Sequence, residues 1–218
     1  WGMSLVVLER DMPGFVRGRN LDKLGLHAQD TAELFFTDVP VPAANLLGEE
    51  GNGFRIAMGT LVSGRLSVAA GCLGVIEDCL AEAAAYARQR QQHGKPIAKH
   101  QLVQEHIAAI EMDRLATEAL VLRAAEAKEA SQRGPNNADL KAQADLLAAQ
   151  SKLFAANAAW DAADRAVQVY GGRGWSTLYR PGRHLQDVRV CRIYEGTDEI
   201  LKLKIAAAVL GKEYEAYK

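Results

Sequence analysis

The spacing of apolar residues changes about a quarter of the way along the chain. Before Gly51 they fall in short runs bounded by turn residues: Ser4 to Glu9 with its two adjacent valines, the turn Pro13-Gly14, then Thr31 to Val39 between Asp30 and Pro40. Such runs predict strands. In Glu33-Leu34-Phe35-Phe36-Thr37 the aromatics are adjacent and point to opposite faces, which predicts a strand covered on both sides.

From Phe54 to about Gln92 the period becomes helical, with Ile56, Leu61, Leu66, Ala69, Leu73, Ile76, Leu80 and Ala84 recurring without a proline. That is one helix of about 55 Å at 1.5 Å per residue. Gly94-Lys95-Pro96 breaks it, and a second helix is expected from about Lys99 to Ser131 through Val103, Ile107, Ile110, Leu115, Ala119 and Leu122. Gly134-Pro135-Asn136-Asn137 precedes a third, Ala138 to Tyr170, so rich in Ala on every face that close neighbours must surround it. A glycine-rich stretch follows, then a short helix near His184 to Arg192, a turn at Glu195-Gly196-Thr197 and a last helix to Gly211.

The expected fold is therefore mainly α, an up-down bundle of long antiparallel helices preceded by a partial β-domain, α+β overall. Residues 1–50 form the β part and 51–218 the four-helix-bundle domain. Helices this long suggest packing across subunits as well.

Composition sharpens the boundary. Of 37 alanines in 218 residues, four precede Gly51. The charges balance, 26 Lys+Arg against 27 Asp+Glu for a net charge of -1, which argues against nucleic acid or an anionic membrane as the main partner. An apolar fraction of 49% and a charged fraction of 24% suit a globular core. No run approaches the 18 consecutive apolar residues of a membrane span, so no membrane insertion is expected. Three cysteines, with Cys72 and Cys79 on one helix, do not make a disulfide set and point to a reducing compartment. The chain opens Trp1-Gly2-Met3-Ser4 and runs straight into Leu5-Val6-Val7-Leu8, as if cut mid-strand, and it reads as part of a longer protein.

The five histidines form no HExxH pair and the cysteines no CxxC, so no metal site is supported. A serine nucleophile elbow and a phosphate-binding GxxxxGK[ST] loop are absent too. Gly171-Gly172-Arg173-Gly174 follows a helix and reads either as a helix stop or as bare backbone that a flat or anionic ligand can approach. Glu126 to Arg133 is a solvated helix face. Arg65, Arg88 and Arg90 serve as helix-end ion-pair residues or as a pyrophosphate clamp. Glu195 lies in a turn beside Tyr194. It is either a desolvated general base or an acid favoured by the N-terminal dipole of the last helix, with Thr197 as N-cap.

Several segments together resemble the flavin-dependent acyl-CoA dehydrogenase family. They are Asp30 to Phe36, Pro42 to Glu49, Tyr86-Ala87-Arg88-Gln89-Arg90-Gln91-Gln92-His93-Gly94-Lys95-Pro96-Ile97, and Gln168-Val169-Tyr170-Gly171-Gly172 through Ile193-Tyr194-Glu195-Gly196-Thr197. The resemblance spans the chain in order and covers the second half of such an enzyme, the end of its middle β-domain and its C-terminal helical domain. It implies abstraction of the α-proton of an acyl-CoA thioester by Glu195, with hydride transfer to flavin N5, giving a trans-2-enoyl-CoA. It assigns the enolate-stabilising donors to the Glu195 N–H and a ribityl hydroxyl of the flavin. Some members carry the base on the first C-terminal helix instead, at the position that is Gly64 here.

By the same resemblance Arg90, Gln91 and Gln92 reach the FAD pyrophosphate of a neighbouring subunit, and His100 and Gln101 its adenosine part. Gln168, Val169, Tyr170, Gly171 and Gly172 line that cofactor, while Thr197 and Glu199 contact the subunit's own FAD. Arg65, Tyr194 and Gly196 are the expected acyl-CoA contacts. The implied assembly is a homotetramer, a dimer of dimers, and the implied electron acceptor an electron-transferring flavoprotein. The implied location is the bacterial cytoplasm, or the mitochondrial matrix in a eukaryote. Departures from the family pattern are His93, where a Phe is usual, and Val62, where a carboxylate is common. The alternatives are a non-catalytic helical assembly module and an acyl-CoA oxidase on the same fold. Without an N-terminal helical domain to cover the flavin, the 218 residues by themselves are expected to hold FAD weakly or not at all and to be inactive.

Overall fold

Two units make up the chain in the computed structural model, Trp1–Leu61 and Val62–Lys218, and the structure describes residues 2–133, 137–214 and 216. The first unit carries four strands, β1 (Leu5–Val6), β2 (Phe15–Asn20), β3 (Ala32–Phe36) and β4 (Leu46–Leu47), in two antiparallel pairs. Leu5 faces Leu47 in one pair; in the other Phe15 faces Phe36, with stacked rings 5.3 Å apart. The expected strand at Ser4 to Glu9 shrinks to Leu5–Val6. Strand β2 was not expected, because Phe-Val-Arg-Gly-Arg-Asn lacks alternation; its partner β3 supplies the order through the ladder. Leu34, Phe35 and Phe36 are about half exposed, so β3 is not covered on both faces. A two-stranded ribbon has no second layer to cover them.

Helix α1 (Gly53–Gln89) begins in the first unit and runs on into the second, where α2 (Gln101–Arg133), α3 (Ala138–Tyr170), α4 (Arg180–Val188) and α5 (Asp198–Leu210) follow. A small hairpin, β5 (Gln91–Gln92) with β6 (Lys95–Pro96), joins α1 to α2. Its two turn residues, His93 and Gly94, have φ of 51° and 75°, as a primed two-residue turn requires, and the backbone leaves the helix at Gln89 rather than near Gln92.

Helix α3 is the axis of the bundle. Ala144, Ala148, Ala155, Ala156, Ala159, Ala162, Ala163 and Ala166 are all buried, so neighbouring backbones come close on several sides, as its composition implied. The Asn137 side chain caps it by accepting from the Asp139 N–H, and Gly171 ends it at φ 60°. The rest of the expected break, residues 134–136, lies outside the described residues.

The buried stripe of α1 runs through Ala69, Cys72, Ile76, Cys79, Ala83 and Ala87, with Leu73, Leu80 and Ala84 at its edge. Length and apolarity would let α1 cross a bilayer, but here that stripe serves a bundle core, and its Arg65 pairs with Asp145 of α3. In the second half of α2 the expected stripe is displaced. Thr117, Val121 and Ala124 point inward, whereas Leu115, Ala119 and Leu122 face out, because small side chains fit beside the Ala face of α3 where leucines would not. Helix α4 starts at Arg180, earlier than expected. Pro181 sits in its first turn, where a missing N–H costs nothing.

Candidate active site

The Glu195 turn is built from backbone conformations that side chains rarely adopt. Glu195 has φ 55° and Gly196 φ 98°. A non-glycine residue in this region costs about 1–2 kcal/mol, so the surroundings must impose it. They do so from two helices. Arg65 of α1, 6% exposed, donates from Nε to the Glu195 carbonyl at 3.1 Å and pairs through Nη1 with Asp145 of α3 at 2.9 Å. Lys152 of α3, fully buried, donates from Nζ to the Gly196 carbonyl at 2.6 Å. Lys204 of α5 holds the second oxygen of Asp145.

The next residues are anchored as firmly. Thr197 accepts the Ile200 N–H as N-cap of α5, and Asp198, 2% exposed, takes Arg192 Nε at 2.7 Å and Asn157 Nδ2 at 3.2 Å. Thr197 is therefore the cap, and the acid with two donors on one oxygen is Asp198, not Glu195.

The Glu195 carboxyl lies against Gly64. A Cβ added at Gly64 would sit 2.6 Å from Oε1 and press on Oε2 as well. Glycine on α1 is thus the space the carboxylate occupies. Oε2 is buried and has no hydrogen-bond partner among the described residues; the same holds for Asp198 Oδ1, though the other oxygen of Asp198 takes two donors. Beside it, the Tyr194 hydroxyl contacts Cys191 Sγ at 3.2 Å. Desolvation and the contact with Cys191 raise Tyr194 above the ordinary tyrosine range. Cys72 and Cys191 are free, and a hydrogen bond to Cys191 together with burial raises Cys72 above the ordinary thiol range.

A second group of expected site residues gathers at the other end of α1. Arg90, Gln91 and Gln92 are exposed, and the Arg90 carbonyl accepts the Ile97 N–H at 2.8 Å, which folds the hairpin back toward the start of α2. There His100 and Gln101 open the helix, with no acid in its first turn. His100 Nε2 is buried without a partner among the described residues, and its ring stands edge-on to His93 at 6.0 Å. The Gln168–Gly172 turn lies alongside: Tyr170 stacks on Tyr86 at 4.2 Å, its hydroxyl bonded to Glu82, while Gly171 and Gly172 present open backbone. Val169 and Tyr170 are buried, and Gln168 faces solvent. From Arg65 to Arg90, α1 covers about 37 Å. Among the described residues no cluster is placed to hold a metal ion.

Residues 51–210 match the model of the acyl-CoA dehydrogenase C-terminal domain. The chain belongs to the acyl-CoA dehydrogenase family. It is 42% identical over 209 residues to the short-chain specific acyl-CoA dehydrogenase of Megasphaera elsdenii, covering 96% of this chain and 52% of that one. Among solved structures it resembles an acyl-CoA dehydrogenase complexed with FAD from Bacillus anthracis, with a TM-score of 0.90 and 31% identity over 97% of this chain and 38% of that one. It also resembles the electron transferring flavoprotein structure of Acidaminococcus fermentans, with a TM-score of 0.86 and 39% identity over 95% and 52%. The chain thus spans about half the length of the relatives it matches.

Within this family fold, the charged residues beneath the Glu195 turn, Lys152, Asp145, Asp198, Arg192 and Lys204, escaped the sequence reading. One signal was present: Lys152 follows Ala148 by one helical turn and precedes Ala156 by another, a lysine on the buried line of α3. Arg65, an expected substrate contact, faces inward, its guanidinium engaged with Glu195 and Asp145. A groove of about 590 Å³ opens between α3 and α5, lined by Ala142, Leu146, Leu203, Lys204 and Ala207. Asp145 and Ile200 also line it, while Glu195 does not.

Proposed function

We propose that this chain is the proton-abstracting C-terminal part of an FAD-dependent acyl-CoA dehydrogenase, with Glu195 as the base that removes the α-proton of an acyl-CoA thioester. The observation that carries this reading is the Glu195 carboxyl itself, fitted into the gap at Gly64, one oxygen buried and unpartnered, on a turn held in a strained conformation. A thioester α-carbon is a weak acid, so its base must be desolvated and aimed, and the developing enolate oxygen must meet a preorganised donor. The Glu195 N–H is that donor from this chain, and Tyr194 and Gly196 flank the acyl group.

The residues of the hairpin end fit FAD. Arg90 presents a fork suited to a pyrophosphate beside the acid-free start of α2, His100 Nε2 has no partner among the described residues, and Gly171 and Gly172 leave their backbone open. FAD, when bound, supplies the acceptor for the β-hydride. The span of about 37 Å from Arg65 to Arg90 exceeds the length of an extended FAD molecule. This supports Arg90 to Gln101 serving the cofactor of a neighbouring subunit while Thr197 and Glu199 lie near the subunit's own, and with it the homotetramer. Likeness to a solved electron transferring flavoprotein structure supports a flavoprotein as electron acceptor.

The test is Glu195→Gln in the FAD-loaded, full-length protein. Deuterium exchange at the α-carbon of an acyl-CoA is expected to fall by about 10²–10⁴-fold. Exchange at the parent rate would refute the assignment.

A further inference from the structure

A buried ammonium lies under the Glu195 turn, on the alanine-rich line of α3. Lys152 is fully buried in the middle of α3. Asp198, the acid nearest in electrostatic influence, is taken up by Arg192 and Asn157. The bond from Lys152 goes instead to a neutral group, the Gly196 carbonyl at 2.6 Å. Burial depresses the amine's pKa, and Asp198, Cys191 and Cys72 offset part of that. A cation left with a carbonyl partner in the interior is a poor contributor to stability.

Its value lies in what it holds. The two successive carbonyls of Glu195 and Gly196 are each gripped by a cation from a different helix, Arg65 from α1 and Lys152 from α3. Both residues of that turn have positive φ. Two donors on rigid helices fix the peptide planes on either side of Gly196. The planes fix the direction of the Glu195 side chain, which must enter the narrow gap at Gly64.

We propose that Lys152 is a positioning residue for proton abstraction: its hydrogen bond to the Gly196 carbonyl keeps the turn in the conformation that aims the Glu195 carboxylate at the substrate. The inference rests on Glu195 being the base. It predicts that rate and stability separate when the donor is lost.

The experiment uses the FAD-loaded, full-length protein with Lys152→Met and Lys152→Gln, read by α-carbon deuterium exchange, the flavin-reduction rate constant, the acyl-CoA dissociation constant, FAD content and Tm. Lys152→Met is expected to keep FAD, Tm and acyl-CoA affinity near the parent values while exchange and flavin reduction fall about 30-fold, the order expected for a base displaced by less than 1 Å. Lys152→Gln, which keeps an N–H donor one bond shorter, is expected to recover part of the rate. A folded Lys152→Met with parent exchange overturns the proposal, as does a folded Lys152→Gln no faster than Met. Failure of both variants to give FAD-loaded protein also overturns it, in favour of a purely structural lysine. Glu195→Gln runs in parallel. If that variant exchanges normally, the base assignment itself has failed; if it is dead while Lys152→Met is normal, the failure belongs to the positioning role.

Discussion

The two ends of α1 within the helical unit are built to opposite rules. Around Arg65 most charged groups are committed, Arg65 to Glu195 and Asp145, Asp145 also to Lys204, Asp198 Oδ2 to Arg192 and Asn157, Lys152 to Gly196, while Glu195 Oε2 and Asp198 Oδ1 are buried without a partner among the described residues. Around Arg90 the polar side chains face outward, and His100 has a buried nitrogen without a partner among the described residues. On the proposed reading, Glu195 moves a proton and must be aimed before the substrate arrives, so its support is internal. Groups that recognise a large polar ligand are completed by that ligand, so their hydrogen bonds stay unmade until it binds.

The contrast can be broken at either end. The largest change in stability is expected from Asp198→Ala, which strands Arg192 and Lys152 near a buried, vacated position. Chemical denaturation is expected to read a loss of about 3 kcal/mol, and a loss below 1 kcal/mol would mean the charges beneath the turn are not coupled.

Gly64→Ala comes next and separates stability from chemistry. The new methyl enters the space of the Glu195 carboxyl, so flavin reduction by acyl-CoA is expected to slow about 10²-fold, the order that a displacement near 1 Å produces. Helix propensity acts the other way and raises stability by up to about 1 kcal/mol. A variant with the parent reduction rate would show that the gap at Gly64 does not position the base.

The smallest effect is at the open end. Arg90→Ala is expected to weaken FAD retention about tenfold, the worth of one charge-assisted hydrogen bond, with the Tm of the FAD-free protein unchanged. A lowered FAD-free Tm would place Arg90 among the structural residues and erase the contrast.

The long helices were legible because their periodicity, breaks and caps agree: α3 begins and ends at the residues its pattern marks, Asn137 and Gly171. Strand β2 was not, since a six-residue stretch without alternation becomes a strand only through its partner. The outward turn of Leu115 and Leu122 was hidden for a related reason: periodicity finds a helix, but which face goes inward depends on the size of the residues opposite. At the site, Glu195, Gly196 and Arg90 were named from turn position and family resemblance. Asp145, Lys152 and Asp198 were missed, because each is an ordinary charged helical residue until the chain folds them under one turn.

By itself the sequence determined the helical plan, the position of the carboxylate in a turn ahead of the last helix, and membership of a family whose matched region is the C-terminal domain. These follow from local spacing and from residues contiguous in the chain. The tertiary structure decided how that carboxylate is held. Gly64 and Glu195 are 131 positions apart, and Lys152 and Gly196 are 44. Contacts between such distant residues leave no periodic trace in the sequence. They exist because close-packed alanines bring α1, α3 and the base turn near enough for two buried cations to grip its backbone.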